Sequence, residues 1–166
     1  MRMAPLNTIA FIVENRPGVL FKVSNMFRRR GYNIESISVG PLMDRSLARM
    51  TVTIEADGRV LRNLIEQLRG MVEVLRVKHL NPRRTVVREM ALVKLNTADP
   101  MAREEALRLV NSHHGLILDI DEDHIVAEIT GSPGEIDSFL REAESIGIVE
   151  LSRTGATALE KGELKL

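Results

Sequence analysis

One order of predicted secondary structure occurs twice along this chain of 166 residues, and it constrains the fold more than any other feature. In each half, the hydrophobic pattern predicts strand, helix, strand, strand, helix and strand, within about eighty residues. This β-α-β-β-α-β order is typical of the split βαβ, or ferredoxin-like, unit. We therefore predict an α+β protein with two ferredoxin-like domains in tandem. Each is expected to form a four-stranded antiparallel sheet with both helices on one face.

Strand signals in the first half are of three kinds. An unbroken apolar run from Ile9 to Val13 predicts a buried strand. Residues 48–56 alternate between apolar and polar side chains, which is typical of a half-buried strand. Gly40 and Pro41 suit an edge strand better than a central one, because proline cannot donate a hydrogen bond to a neighbouring strand.

Helix starts are marked by capping residues or prolines. Asp57 is predicted to cap the second helix, Asp99 the third and Ser132 the fourth, the last as part of a capping box with Glu135. Pro17 is predicted to occupy the first position of the first helix, where its missing N–H costs no hydrogen bond.

A polar segment that contains proline, residues 81–84, predicts the linker between the halves. We accordingly predict a first domain at residues 1–81 and a second domain at residues 82–166. The tail from Leu159 onward is expected to be frayed.

Composition excludes several classes of function. Lys and Arg together number 23, as do Asp and Glu, and a net charge of zero argues against a nucleic-acid-binding protein. Aromatic residues make up 3 % of the chain, which leaves little surface for stacking bases. The absence of cysteine excludes disulfides and thiolate nucleophiles. No apolar run approaches the length of a membrane span, so we expect no binding to a membrane. Together with the charge balance, this predicts a cytoplasmic protein that does not bind nucleic acid.

No catalytic arrangement and no metal site emerge from the spacing of the histidines and carboxylates, so we predict neither. Two charged clusters have alternative interpretations. Acidic residues between Asp119 and Asp123 form either a solvated hairpin turn or a site for a hard cation such as Mg²⁺. The basic triplet Arg28–Arg30 ends the first predicted helix, where cations are favoured by the helix dipole. It is also compatible with binding a phosphate, a nucleic acid or a protein partner.

The segment between the first strand and the first helix is the main candidate for ligand binding. A helix N-terminus presents free N–H groups that bind carboxylates and phosphates, and Gly18 allows a ligand to approach its backbone closely. Asn15 in this turn and Asn33 at the start of the neighbouring strand add amide groups. Together they are suited to the carboxylate and ammonium of a free amino acid.

An aliphatic side chain of such a ligand would lie on Val19, Leu20 and Ile34. A plain alternative explains the segment equally well at this point, namely an ordinary proline-initiated helix that follows an asparagine turn. The residues alone leave both interpretations open.

Several longer segments of the sequence resemble those of a known protein family. The first half resembles an ACT domain, an amino-acid-sensing version of this fold, in its segments ENRPGVL, RRRGYNIESISVG, LARMTVTIE and VEVLRVKHL. The string GYNIES at residues 31–36 is similar to the signature of the small, regulatory subunit of acetolactate synthase, also called acetohydroxyacid synthase. The second half resembles the C-terminal domain of the same family in VREMALVKL, HHGLILDI and GSPGEIDSFL.

The resemblance implies a regulatory subunit without a catalytic site of its own. Such a protein forms a homodimer and binds a catalytic large subunit, which carries thiamine diphosphate, Mg²⁺ and FAD. It raises the activity of that enzyme and confers feedback inhibition by a branched-chain amino acid, usually valine. No cofactor is expected in this chain.

In the family, the effector lies between two ACT domains of a dimer, and the matching positions here are Asn15, Gly18 and Asn33. Arg16 and Pro17, which lie between the first two, are included in the predicted site as positions that vary within the family. Pro17 removes one N–H donor from the turn and stiffens it, so the site is expected to be tuned differently.

Two other functions remain as alternatives. A stand-alone amino-acid-binding regulator would act on another enzyme or on transcription, and the basic triplet is the feature that supports action on transcription. A small hydrolase of the acylphosphatase kind would use Arg16 in the first turn, but the turn lacks a glycine-rich phosphate cradle.

Overall fold

Residues 5–163 and 166 are described by the structure, a computed structural model. They form two compact units. The first contains the described residues up to Val86 together with those from Ala156 onward, and the second spans Val87–Gly155.

Each unit contains the predicted order of four strands and two helices, which confirms the two ferredoxin-like folds. The elements before the linker are β1 (Leu6–Glu14), α1 (Val19–Arg29), β2 (Ser36–Pro41), β3 (Leu47–Glu55), α2 (Gly58–Arg69) and β4 (Val74–His79). After a short 3-10 helix (Pro82–Arg84) come β5 (Thr85–Asn96), α3 (Pro100–Ser112), β6 (Leu116–Ile120), β7 (His124–Gly131), α4 (Pro133–Ala143), β8 (Ile148–Arg153) and β9 (Thr157–Glu160).

The first unit is built on an antiparallel sheet with the strand order β2-β3-β1-β4. Phe11 of β1 and Val52 of β3 are fully buried on the face that packs against both helices. Phe27 of α1 and Leu64 of α2 complete this core. Full burial of each such side chain contributes roughly 1.5–3 kcal/mol.

The central part of the opposite face of this sheet is also buried, which the half-buried interpretation of residues 48–56 did not anticipate. Thr51 and Thr53 of β3 point away from the helices, yet they are only 2 % and 6 % exposed. Ala10 of β1 is fully buried on the same face. The cover is provided by the tail of the chain.

The tail crosses this face from one edge of the sheet to the other. The Ala156 N–H donates to Ser36 Oγ of β2 at 3.3 Å, and Glu160 pairs with Lys78 of β4, with 2.5 Å between Oε2 and Nζ. The expectation of a frayed tail is therefore wrong for Leu159 and Glu160, which end strand β9 (Thr157–Glu160). Residues 164 and 165 lie outside the described part of the chain. The predicted domains, 1–81 and 82–166, differ from the structural division at two places. Residues 82–86 and the tail from Ala156 onward belong to the first unit.

The second unit has the strand order β6-β7-β5-β8. Its core is formed by alternate residues of β5 and β7 and by one face of each helix, with Val93, Ile129, Ile136 and Phe139 among the most buried. The predicted caps are confirmed in both units. Asp57, Asp99 and Ser132 each accept backbone N–H groups at a helix start, and Glu135 completes the capping box.

No helix within residues 5–163 is both long enough and apolar enough to cross a membrane.

Candidate functional site

The turn at residues 15–18 joins β1 to α1 and ends on a glycine in the left-handed conformation. Gly18 is the N-cap of α1, with a φ of +86°, a region that residues with a Cβ rarely adopt. Helix α1 begins at Val19, so Pro17 lies in the turn and not at the first helical position, contrary to the prediction. The left-handed backbone at Gly18 directly precedes the first helical residue.

Helix α1 differs from the other three helices in how it begins. Among the described residues, no side chain caps its N-terminus, whereas Asp57, Asp99 and Ser132 cap the other three. Like α2 and α3, it has no acidic residue in its first turn. The N–H groups at a helix start carry the positive end of the dipole and need acceptors. The start of α1 is thus suited to receive a carboxylate from a ligand.

Asn15 fastens this turn to the loop between β2 and β3. Its backbone N–H donates to the carbonyl of Ser46 at 2.7 Å, and its Nδ2 donates to the carbonyl of Arg45 at 2.9 Å. The loop is itself ordered by Asp44, whose carboxylate accepts the N–H and the hydroxyl of Ser46. These two bonds lower the pKa of Asp44 below its ordinary value, the hydroxyl having the larger effect. Asn15 therefore leaves its side-chain oxygen as the atom best placed to accept from a ligand.

Arg16 belongs to a charged network behind the turn. Its Nη2 lies 2.7 Å from Glu14 Oε2 and 3.8 Å from Glu73 Oε1. Glu73, whose side chain is only 8 % exposed, also pairs with Lys22 of α1. The hydrogen bond from Lys22 holds the pKa of Glu73 below its ordinary carboxyl value, and the charge of Arg16 adds to this effect. The network ties the turn, helix α1 and the start of β4 into one unit.

A hollow of about 400 Å³ opens beside the turn, within the size range of small-molecule sites. Its walls combine Asn15 and the charged groups of Glu14 and Arg16 with the apolar side chains of Leu47 and Leu75. Polar groups for a zwitterion and apolar surface for an aliphatic side chain thus lie together. Sequence reasoning missed Leu47 and Leu75, because strand pairing brings them to the turn and no local motif marks them.

The three apolar residues of the predicted site have different environments. Val19 is a core residue, 3 % exposed, so it fixes the helix start and offers no surface to a ligand. Leu20 is 48 % exposed. Ile34 is half-buried and packs against the core of the first unit.

Asn33 does not lie beside the turn within one chain. It precedes β2, which begins at Ser36, and its Nδ2 donates to the carboxylate of Glu35. Strand β2 pairs with β3 and not with β1, so the two strands are not neighbours as predicted.

Strand register gives the separation. Ser36 lies opposite Thr53, and Thr53 lies opposite Thr8 near the start of β1. Asn15 follows Thr8 by seven residues, which corresponds to about 23 Å of extended chain. The turn and the loop that carries Asn33 are therefore at opposite ends of the sheet.

The acidic cluster at residues 119–123 is organised as a hairpin turn. The Asp121 carboxylate accepts the N–H groups of Asp123 and His124 at 2.8 and 2.7 Å, which together lower its pKa. Arg103 donates to the carbonyls of Asp121 and Glu122 from the side. Within residues 5–163, no three acidic or histidine side chains are grouped so that they could hold a metal ion.

Two known families match the chain in succession. The family described as AHAS small subunit-like ACT domain matches residues 9–76, and the family described as small subunit of acetolactate synthase matches residues 88–162. Curated relatives match at nearly full length. One of them, named "Probable acetolactate synthase small subunit", from Methanothermobacter thermautotrophicus, is 40 % identical over 154 residues, covering 93 % of this chain and 92 % of the relative. The acetolactate synthase small subunit of Mycolicibacterium smegmatis is 32 % identical over 158 residues, which cover 95 % of this chain and 92 % of that relative.

The fold has a close counterpart among solved structures. The crystal structure of the acetolactate synthase small subunit from Thermotoga maritima superposes with a TM-score of 0.90 at 31 % identity. The superposition covers 96 % of this chain and 99 % of the Thermotoga maritima chain. The similarity therefore extends through both units.

Proposed function

The chain belongs to the family of acetolactate synthase small subunits, and on this basis we propose that it activates a catalytic large subunit and confers feedback inhibition by valine. It is a regulatory subunit, and catalysis lies in the large subunit. In this proposal the large subunit carries thiamine diphosphate, Mg²⁺ and FAD, and this chain binds only the effector. The pathway served is the synthesis of valine, leucine and isoleucine.

The observation that carries the effector proposal is the start of α1. Its N–H groups have no side-chain cap, and Gly18 opens the backbone to a ligand. The carboxylate of valine would lie at these N–H groups, and its ammonium would be bound by the side-chain oxygen of Asn15. Leu20, Leu47 and Leu75 supply apolar surface nearby for the isopropyl group.

We propose that the site is completed by a second copy of the chain. Asn33 and the turn are at opposite ends of one sheet, so one copy cannot bring both to a single ligand. Strand β2 lies at the edge of the sheet formed by the described residues, and its exposed Val39 adds apolar surface there. If two β2 strands pair antiparallel about a two-fold axis, Asn33 of the partner subunit comes to the end of the sheet that holds the turn. A homodimer thus unites the residues that the family motif groups together.

Calorimetric titration of valine into the purified chain tests the site. We expect heat with the wild type and at least tenfold weaker binding in Asn15→Ala and in Asn33→Ala, because each variant removes a polar contact to the zwitterion. Asn63→Ala is the matched control, since Asn63 is an exposed amide on α2. Absence of heat with the wild type, or unchanged binding in both site variants, would contradict the assignment.

The oligomeric state tests the shared site separately. Mixing Asn15→Ala chains with Asn33→Ala chains should restore part of the valine binding, because a mixed dimer contains one site that has both asparagines. A strictly monomeric chain that still binds valine would contradict the shared site while leaving the effector proposal intact.

A further inference from the structure

A second, larger groove of about 660 Å³ lies between α1 and α2, away from the candidate effector turn. Lys22, Asn25, Met26 and Arg29 reach it from α1 at the spacing of one helical face. Arg30, Gln67, Gly70 and Met71 complete the lining. The groove therefore extends along α1 from Lys22 to the C-terminal end of that helix, and it reaches the C-terminal end of α2.

The charged residues among the described lining of the groove are all cationic. Three of its lining residues are cationic, and none of the described lining residues is acidic. Lys22 is paired with Glu73, whereas Arg29 and Arg30 make no ion pair with any residue in the described ranges. The whole chain has a net charge of zero, so this groove is a local concentration of positive charge.

The floor of the groove is apolar. Met26 and Met71 are half-buried and pack against the core of the first unit. Methionine is flexible and polarisable, and it is common at surfaces that receive apolar side chains of partners. Compensation of the helix dipole accounts for arginines in the last turn of α1, but it accounts neither for Lys22 near the N-terminal end of the helix nor for the methionines.

We propose that this groove is the docking site for an acidic segment of the catalytic large subunit that also carries an apolar side chain. The inference rests on the proposed function, and it names the surface through which that function is transmitted. Carboxylates of the segment would pair with Arg29 and Arg30, and its apolar side chain would lie on Met26 and Met71. A nucleic acid is disfavoured, because the zero net charge gives no general attraction and the described lining contains no aromatic side chain.

The test is the affinity of the full-length chain for the catalytic large subunit of the same organism, measured by biolayer interferometry at two salt concentrations. The double variant Arg29→Glu/Arg30→Glu should bind at least about tenfold more weakly than the wild type. The wild-type affinity should also fall as salt rises. Arg59→Glu/Arg62→Glu is the matched control, because it changes the net charge equally at exposed positions of α2 that do not line the groove.

A neutral variant separates docking from folding. Arg29→Gln/Arg30→Gln should melt within about two degrees of the wild type, because exposed arginines contribute little to stability, and it should still bind more weakly. If both groove variants bind as the wild type does, the docking site is refuted while the proposed function stands. If the wild type itself fails to bind the large subunit, both proposals fail. One further result would overturn the docking site. In it, millimolar inorganic phosphate abolishes binding of the wild type to the large subunit, and the groove variants bind the large subunit as the wild type does.

Discussion

Arg49 of β3 donates through Nη2 to the backbone carbonyl of Ala158, a residue 109 positions later in the chain, over 2.8 Å. This hydrogen bond places the end of the sequence on the sheet at its beginning. The tail covers the central residues Ala10, Thr51 and Thr53 on the face of the sheet opposite the helices. The tail is therefore part of the first unit, and the stability of that unit should depend on it.

Substitutions at neighbouring tail positions test this dependence. Ala158 is 3 % exposed and Leu159 is 63 % exposed, so lysine at the first position must enter a closed space whereas lysine at the second enters solvent. We expect Ala158→Lys to cost at least about 1–3 kcal/mol, seen as a lower melting temperature. Leu159→Lys, the control, should melt close to the wild type. Equal melting temperatures for the two variants would show that the tail is not packed on the sheet.

The buried carboxylate of Glu73 should make the first unit sensitive to acid. Its pKa in the folded chain is below the ordinary carboxyl value, because Lys22 and Arg16 favour the charged form. A lowered pKa contributes stability at neutral pH that is lost as the pH falls through the folded value. Glu73→Gln should therefore melt below the wild type at about pH 7, and the difference should shrink as the pH falls through the lowered pKa of Glu73.

The control for this prediction is Glu66→Gln, since the Glu66–Arg69 pair is exposed on both sides. Exposed pairs of this kind contribute little, so its melting temperature should change little at either pH. A Glu73→Gln variant that is as stable as the wild type at neutral pH would show that the charged network does not support the turn.

Two glycines with open space around them should respond in opposite ways to alanine. Gly18 has a φ of +86°, whereas Gly134 lies within helix α4 with an ordinary φ. We expect Gly18→Ala to destabilise the chain by about 1 kcal/mol and Gly134→Ala to stabilise it by about 0.5–1 kcal/mol. Thermal unfolding of both variants measures the difference. Gly18→Ala should also weaken valine binding, and a variant that binds valine normally would argue against the turn as the site.

The acidic turn at residues 119–123 should respond to loss of its hydrogen bonds and not to cations. Asp121→Ala removes the acceptor of two backbone N–H groups, so we expect a lower melting temperature. Asp119→Ala, at an exposed position of the same segment, should have little effect. Addition of about 10 mM Mg²⁺ should leave the wild-type melting temperature unchanged, because a ligand that does not bind gives no stabilisation. A rise with Mg²⁺ would show that the turn is a cation site after all.

Local patterns were sufficient to predict the architecture. The alternation at Ala48, Met50, Val52 and Ile54 identifies the core face of β3, because side chains of a strand point alternately to its two faces. The caps at Asp99 and Ser132 were readable because the capping side chain and its N–H partners lie within a few residues of one another. Features of this kind depend on neighbours in the sequence.

Features that depend on contacts between residues far apart in the chain could not be predicted from local sequence patterns. The contact of Arg49 with Ala158 has no counterpart in local composition, so the tail was expected to be frayed. The separation of Asn15 from Asn33 follows from the placement of β3 between β1 and β2, which a linear reading of strand order does not reveal. Pro17 was assigned to the first helix because prolines favour the first helical position. Gly18, with its positive φ, is instead the N-cap, so the helix begins at Val19, two residues later than predicted.

The most direct test of the account is the activity of the catalytic large subunit measured alone, with this chain, and with this chain plus valine. The account predicts that the chain co-purifies with the large subunit and raises its acetolactate-forming activity. It also predicts that valine reverses the increase, and that Asn33→Ala abolishes this reversal without abolishing activation. Valine binding by a chain that neither associates with the large subunit nor changes its activity would indicate a stand-alone regulator and would contradict the account.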